Sequence, residues 1–334
     1  IITFYLVVQS GLTHWSDPAV LPFRSWSYAY PLGLFLSGFA HAGPAHLIGN
    51  TIGAVVLTPL VEYAWGHYPP RGERETGHSY PPPAPSSTAN TTPETRPAGA
   101  AGLTLRGRLA RVLPERVREQ FTRPWVRALV IFPLGLVLVT LVTAVFALGW
   151  SMGYSGTVFF LLGFALVVAP LVTVVAMVVT SSLSIVLSTL QNPILRATAA
   201  PGGPSPPAWA GVNWQAHLLG FLLGVLVALA VLYARGEWPD PGRLAFAAVT
   251  VALVRSLWSI STVDGSEFVQ WRAPGLIFIL GLVFLVVAAV GAEDEPVVGP
   301  VTARHVLVGT LAAVVVLLAL PSAAGSRRRP LGFA

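Results

Sequence analysis

The sequence predicts an all-α, polytopic membrane protein, and three observations carry that expectation. Of its 334 residues, 54% are hydrophobic and only 10% charged, with a mean hydropathy of +0.69. An average soluble domain carries about 25% charged residues. Apolar runs of roughly 20 residues recur along the chain, the length that spans a bilayer core of about 30 Å at about 1.5 Å per residue. The basic residues, all 20 of them arginine, sit mainly between those runs. The net charge of +6 therefore reads as membrane topology, with the lipid bilayer as partner rather than nucleic acid. Cysteine is absent, which excludes disulfides, thiolate nucleophiles and cysteine metal sites. The chain has no P-loop or Gly-rich nucleotide fingerprint. We expect no cofactor and no metal.

The apolar stretch IITFYLVVQ that opens at Ile1 is too short to span and reads as the end of a first helix whose start is missing. Residues 10–43 are semi-polar and aromatic (Trp15, Phe23, Trp26, Tyr28, Tyr30), the composition of an interfacial loop. The second helix begins at Pro44, a favoured first-turn residue, and runs to about Trp65. Residues 67–125 then change character. The first half is rich in proline, serine and threonine and reads as disordered. The second half, LTLRGRLARVLPERVREQF, suits a basic helix on the membrane surface or a solvated charged linker equally. Further spans are expected at 126–149, 155–170, 171–190 and 212–234, with Pro170 making a very tight connection and 191–211 a Pro/Gly loop.

Beyond Arg235, spans are expected at 274–292 and 304–322, while Arg255 interrupts 243–260. A mid-span arginine costs about 2.5–3.5 kcal/mol on insertion scales, and Leu244–Val254 offers only 11 uninterrupted apolar or small residues. We therefore expect 243–260 to lie in the interface and two helices to follow the sixth. Arg327-Arg328-Arg329 would then be cytoplasmic and Glu293-Asp294-Glu295 external. The alternative, three helices, reverses both placements.

Ten of the 20 arginines fall within 71–127, so by the positive-inside rule that region is cytoplasmic. The second, fourth and sixth helices then all run inward, and their N-terminal ends share the extracytoplasmic side. Polar groups inside spans are costly and each is a functional candidate. His46 and Asn50 lie four residues apart on one face of the second helix, with His41 just before it. Ser155 opens the fourth helix within Gly153-Tyr154-Ser155-Gly156, and His217 precedes Gly220-x-x-x-Gly224 in the sixth. Taken singly, a membrane His or Asn is more often interhelical hydrogen-bond glue, and a small-residue run a packing surface. Here all of them fall within about two turns of three helix ends at one depth.

A serine hydroxyl becomes a nucleophile when an imidazole takes its proton, and the resulting oxyanion needs donors. Asn50, His46 and the backbone N–H of Ser155 are suited to that, with a small favourable contribution from the helix dipole. No carboxylate completes the set. Glu62 lies 12 residues past Asn50, about 18 Å along the helix. The arrangement is a Ser–His dyad.

These motifs, His41-x4-His46-x3-Asn50, Gly153-x-Ser155-Gly156 and Ala216-His217-x-x-Gly220-x-x-x-Gly224, resemble the rhomboid family of intramembrane serine proteases over roughly residues 1–234. The resemblance implies a six-helix catalytic core there, interrupted by the 67–125 insertion, with 235–334 as a C-terminal membrane extension of two or three helices. It implies Ser155 as nucleophile, His217 as general base, His46 and Asn50 at the oxyanion hole and His41 lining the site. Phe159 matches an aromatic that stacks on the catalytic histidine, and Glu62 a glutamate that braces the inner end of the second helix. It also implies cleavage of transmembrane protein substrates near the outer leaflet of the cell membrane. The chain departs from the family pattern in three places. Phe160 stands where a glycine is common, Arg24 and Trp26 only approximate the Trp-Arg pair of the first loop, and the insertion is long. Two other readings compete: a rhomboid-fold protein that binds membrane clients without cutting them, and a transporter using His46, Asn50 and His217 as a polar relay. The first typically lacks the serine or histidine that this chain has. The second favours midplane sites, whereas these residues gather near one surface.

Overall fold

The computed structural model describes residues 1–25, 27–66, 123–146, 152–191, 213–255, 257, 260–264, 267–293 and 296–319. Trp26, nearly all of the 67–125 insertion, the 191–211 loop apart from Gln191, and Arg327-Arg328-Arg329 lie outside the described residues. The chain divides into two compact units, Ile1–Ala64 with Leu136–Ala334, and Trp65–Gly135. In the second unit, Trp65 stacks on Phe132 with ring centroids 5.9 Å apart.

The first unit begins with a helical turn at Phe4–Val8, a short 3₁₀ turn at Leu21–Phe23 and the six-residue helix α1 (Pro31–Leu36). The expected loop 10–43 therefore contains ordered local structure. Helix α2 runs Pro44–Gly66, with proline at its first position as expected and a second proline, Pro59, in its interior. Helix α3 runs Pro124–Phe146, α4 Ser155–Val168, α5 Pro170–Gln191 and α6 Trp214–Arg235. A single residue, Ala169, separates α4 from α5, because Pro170 cannot continue the helix that precedes it. Among the described residues, four helices are long and apolar enough to cross a membrane: Pro44–Trp65, Pro124–Phe146, Trp214–Arg235 and Arg272–Gly291. This makes the chain a multi-pass membrane protein.

Helix α4 is the core. Its residues Phe160 to Val167 are all buried, so it is apolar on every face, as a helix enclosed by protein should be. Helix α5 by contrast exposes Val172, Val175, Val178 and Val179, the surface expected against lipid.

The all-α expectation is corrected to mostly helical. Beyond α6 come α7 (Pro241–Val254), a hairpin of β1 (Ile260–Asp264) and β2 (Glu267–Trp271), and α8 (Arg272–Gly291). A second small hairpin, β3 (Pro296–Val298) and β4 (Val301–Thr302), leads into α9 (Ala303–Ala319). Both pairs are antiparallel. The first carries β-branched and aromatic residues (Ile260, Thr262, Val263, Phe268, Val269 and Trp271) on either side of Gly265-Ser266, a hairpin signal that sits between two apolar runs.

The helix ends also bear on α7. Pro241, which starts α7, lies beside Gly291, which ends α8. At the same end the Arg304 guanidinium donates to the carbonyls of Ala289 and Ala292 and sits 4.1 Å from the Trp238 ring. At the other end of α9, the Leu318 carbonyl accepts a hydrogen bond of 2.5 Å from the Gln215 amide at the start of α6. Helices α6, α7, α8 and α9 thus alternate in direction. That order is the one a three-helix extension would have, while α7, at 14 residues, is shorter than the four candidate spans. Arg255 forms the C-cap of α7 rather than standing mid-span, which weakens the insertion penalty that disfavoured it. Fusions of a one-sided reporter after Glu237 and after Ala319 should report opposite faces of the membrane. Reporting on the same face would support the interfacial reading.

Candidate active site

Ser155 and His217 come from residues 62 apart, and their side chains meet: His217 Nε2 lies 2.8 Å from Ser155 Oγ. Two local features place them. Asn213 caps α6 by accepting from the Ala216 N–H at 3.0 Å, which fixes the helix start and puts His217 in the first turn. Gly153, at φ +107°, turns the chain sharply into α4, a conformation that L side chains rarely adopt.

Glycine then lets α4 and α6 approach backbone to backbone. A Cβ on Gly220 would fall 2.1 Å from the Gly156 carbonyl oxygen, and one on Gly224 2.1 Å from that of Phe160. Gly163 meets the Phe221 carbonyl in the same way. Small residues allow this contact in a membrane helix pair. Phe160 does not hold the helices apart, because the approach is made at its backbone carbonyl, and the residue itself is buried. Phe159, one turn after Ser155, stacks on the His217 imidazole with centroids 4.4 Å apart and planes 21° apart.

The second helix reaches the same place through Gly153. A Cβ there would lie 2.5 Å from the His46 ring and 3.2 Å from Asn50 Nδ2. The Asn50 amide nitrogen is buried and has no hydrogen-bond partner among the described residues. The Ala42 N–H donates weakly, at 3.4 Å, to His46 Nδ1, which leaves the proton of a neutral His46 on Nε2, the nitrogen facing Gly153.

His41 behaves differently. Its ring lies 5.1 Å from that of His46, and its Nδ1 is 3.1 Å from the Phe39 carbonyl. A carbonyl only accepts, so Nδ1 carries the proton and Nε2 is a bare acceptor. Burial, reinforced by the nearby His46, holds the His41 imidazole far below its ordinary value, at about 3. It stays neutral and cannot donate from Nε2. The seven residues singled out in the sequence therefore form one connected group, from His41 through His46 and Asn50 to Gly153, Ser155, His217 and Phe159.

The description "Rhomboid domain" matches residues 119–234. That segment is similar to the rhomboid family. The matched segment holds α4 and α6, with Ser155 and His217, while His41, His46 and Asn50 lie before it and join it through Gly153. No curated protein and no solved structure matches the chain. Beside Ser155 lies a narrow, mainly polar cleft, lined by Ser37, Gly38, Thr140, Thr143, Met152, Gly153 and Gly156 among others. Sequence reading missed Gln9. It is fully buried and its carboxamide bonds the backbone of His41. A lone polar residue in an apolar opening stretch was the available signal.

Proposed function

We propose that the chain is an intramembrane serine endopeptidase that cuts transmembrane protein substrates with a Ser155–His217 dyad. The observation that carries this reading is the 2.8 Å approach of Ser155 Oγ to His217 Nε2. With the proton of His217 on Nδ1, Ser155 Oγ–H donates to Nε2. That imidazole takes the proton as Oγ attacks the scissile carbonyl. Asn50 Nδ2, His46 Nε2 and the backbone N–H of Ser155 are the groups available to the oxyanion. Collapse of the tetrahedral intermediate breaks the C–N bond, and His217 hands the proton to the departing amine. Water, deprotonated by the same imidazole, then hydrolyses the acyl-enzyme. Stacking on Phe159 keeps the ring in line without a carboxylate as third member.

The length of α4 supports cleavage inside the membrane. Its 14 residues span about 21 Å against a core of about 30 Å, too short to reach both surfaces, which suits a Ser155 recessed from one of them. The arginine distribution favours the extracytoplasmic side for that surface, and the motif resemblance favours residues 1–234 as the catalytic core with 235–334 as an extension. A fluorophosphonate probe should label the full-length protein in detergent and fail to label Ser155→Ala. Equal labelling of both would remove the serine-protease reading.

A further inference from the structure

Gln9 shares no helix or motif with the dyad, yet its side chain is fully buried and hydrogen-bonded at both ends. Its Nε2 donates to the Ala19 carbonyl at 2.8 Å and to the His41 carbonyl at 2.9 Å. Its Oε1 accepts from the His41 N–H at 2.8 Å. The backbone joins in, with the Ala19 N–H donating to the Gln9 carbonyl at 2.9 Å. One carboxamide thus engages both backbone groups of a single residue, as a neighbouring β-strand would, and does so across 32 positions of sequence. The turn carrying His41 is not in a helix, so no helical ladder fixes it.

What that turn holds is the His46 side of the site. The His41 ring packs edge-on against His46, and the His46 ring fills the space against Gly153. A shift of the His41 backbone would move His46 relative to Ser155 while leaving the Ser155–His217 bond in place.

We propose that Gln9 is a positioning residue for the reaction, acting through His41 to hold His46 at the oxyanion side of Ser155; this rests on the proteolytic reading above. The test is a double-mutant cycle on the full chain in detergent, with a reporter transmembrane substrate. The variants are Gln9→Met, of similar length but without the polar groups, His46→Ala, and the two together. Gln9→Met should lower kcat about tenfold, as small misplacements of a catalytic group do, with KM within about twofold. In the His46→Ala background the same change should have little further effect, because coupled residues are not additive. Gln9→Glu keeps the acceptor for the His41 N–H and should retain more activity than Gln9→Met. If Gln9→Met does not fold, the cycle is run with Gln9→Glu, which should again lose activity only where His46 is present. Wild-type rates in the Gln9 variant, or a loss that simply adds to that of His46→Ala, would overturn the proposal. Failure of the protease reading itself is distinguishable: the wild type would then cleave no better than Ser155→Ala.

Discussion

Replacing Ser155 or His217 by alanine is expected to lower cleavage of a reporter transmembrane substrate by at least about 10⁴-fold, the scale on which nucleophile and base act as one unit. Protein level and thermal unfolding in detergent should change little, since Ser155 opens α4 rather than filling the core. The double variant should be no worse than either single one. Asn50→Ala is expected to fall between, at about 10²–10³-fold, the usual loss for one oxyanion donor. Its side chain is buried with a free N–H, so removing it takes away no internal hydrogen bond of that donor. Full cleavage by Ser155→Ala would end the protease reading. Full cleavage by Asn50→Ala alone would instead reassign the oxyanion site to His46 and the backbone.

The second large effect is expected at Gly220. Any Cβ there must displace a backbone carbonyl, that of Gly156, rather than the tip of a flexible side chain. Gly220→Ala should therefore push α6 from α4 and lengthen the Ser155–His217 approach. Overpacking of this kind typically costs about 1–3 kcal/mol, which should appear as a lowered unfolding temperature together with loss of fluorophosphonate labelling. Gly281→Ala in α8 is the control. Its Cβ would meet nothing within 4 Å, and both readouts should stay near wild type. Wild-type labelling in Gly220→Ala would show that the dyad tolerates a wider helix spacing than the structure has.

Much of the helical plan was legible in the residues. Runs of apolar side chains, bounded by residues such as Pro44 and Pro170, mark helix bodies and ends through purely local chemistry. Pro170 starts a helix and stops another because it lacks an N–H, whatever surrounds it. The hairpins were less legible, because β1–β2 pairing depends on two short segments finding each other, and apolar β-branched residues beside a span read equally as helix.

The candidate site divides in the same way. His41, His46, Asn50, Ser155 and His217 stand out in sequence because polar groups are rare within apolar spans. Nothing local could give the 2.8 Å between Ser155 and His217, which depends on glycines at 156, 220 and 224 bringing two backbones into contact.

The sequence by itself determined which segments are helical and apolar, and which polar residues interrupt them, because those properties follow from hydrophobicity and backbone chemistry over a few turns. Only the tertiary structure decided that α7 runs antiparallel to α8, that α9 ends beside Gln215, and that Gln9 clamps His41. Each of these depends on a contact between residues far apart in the chain, and such a contact is fixed by complementary shape and by the need to satisfy buried polar groups, neither of which leaves a periodic trace in the sequence.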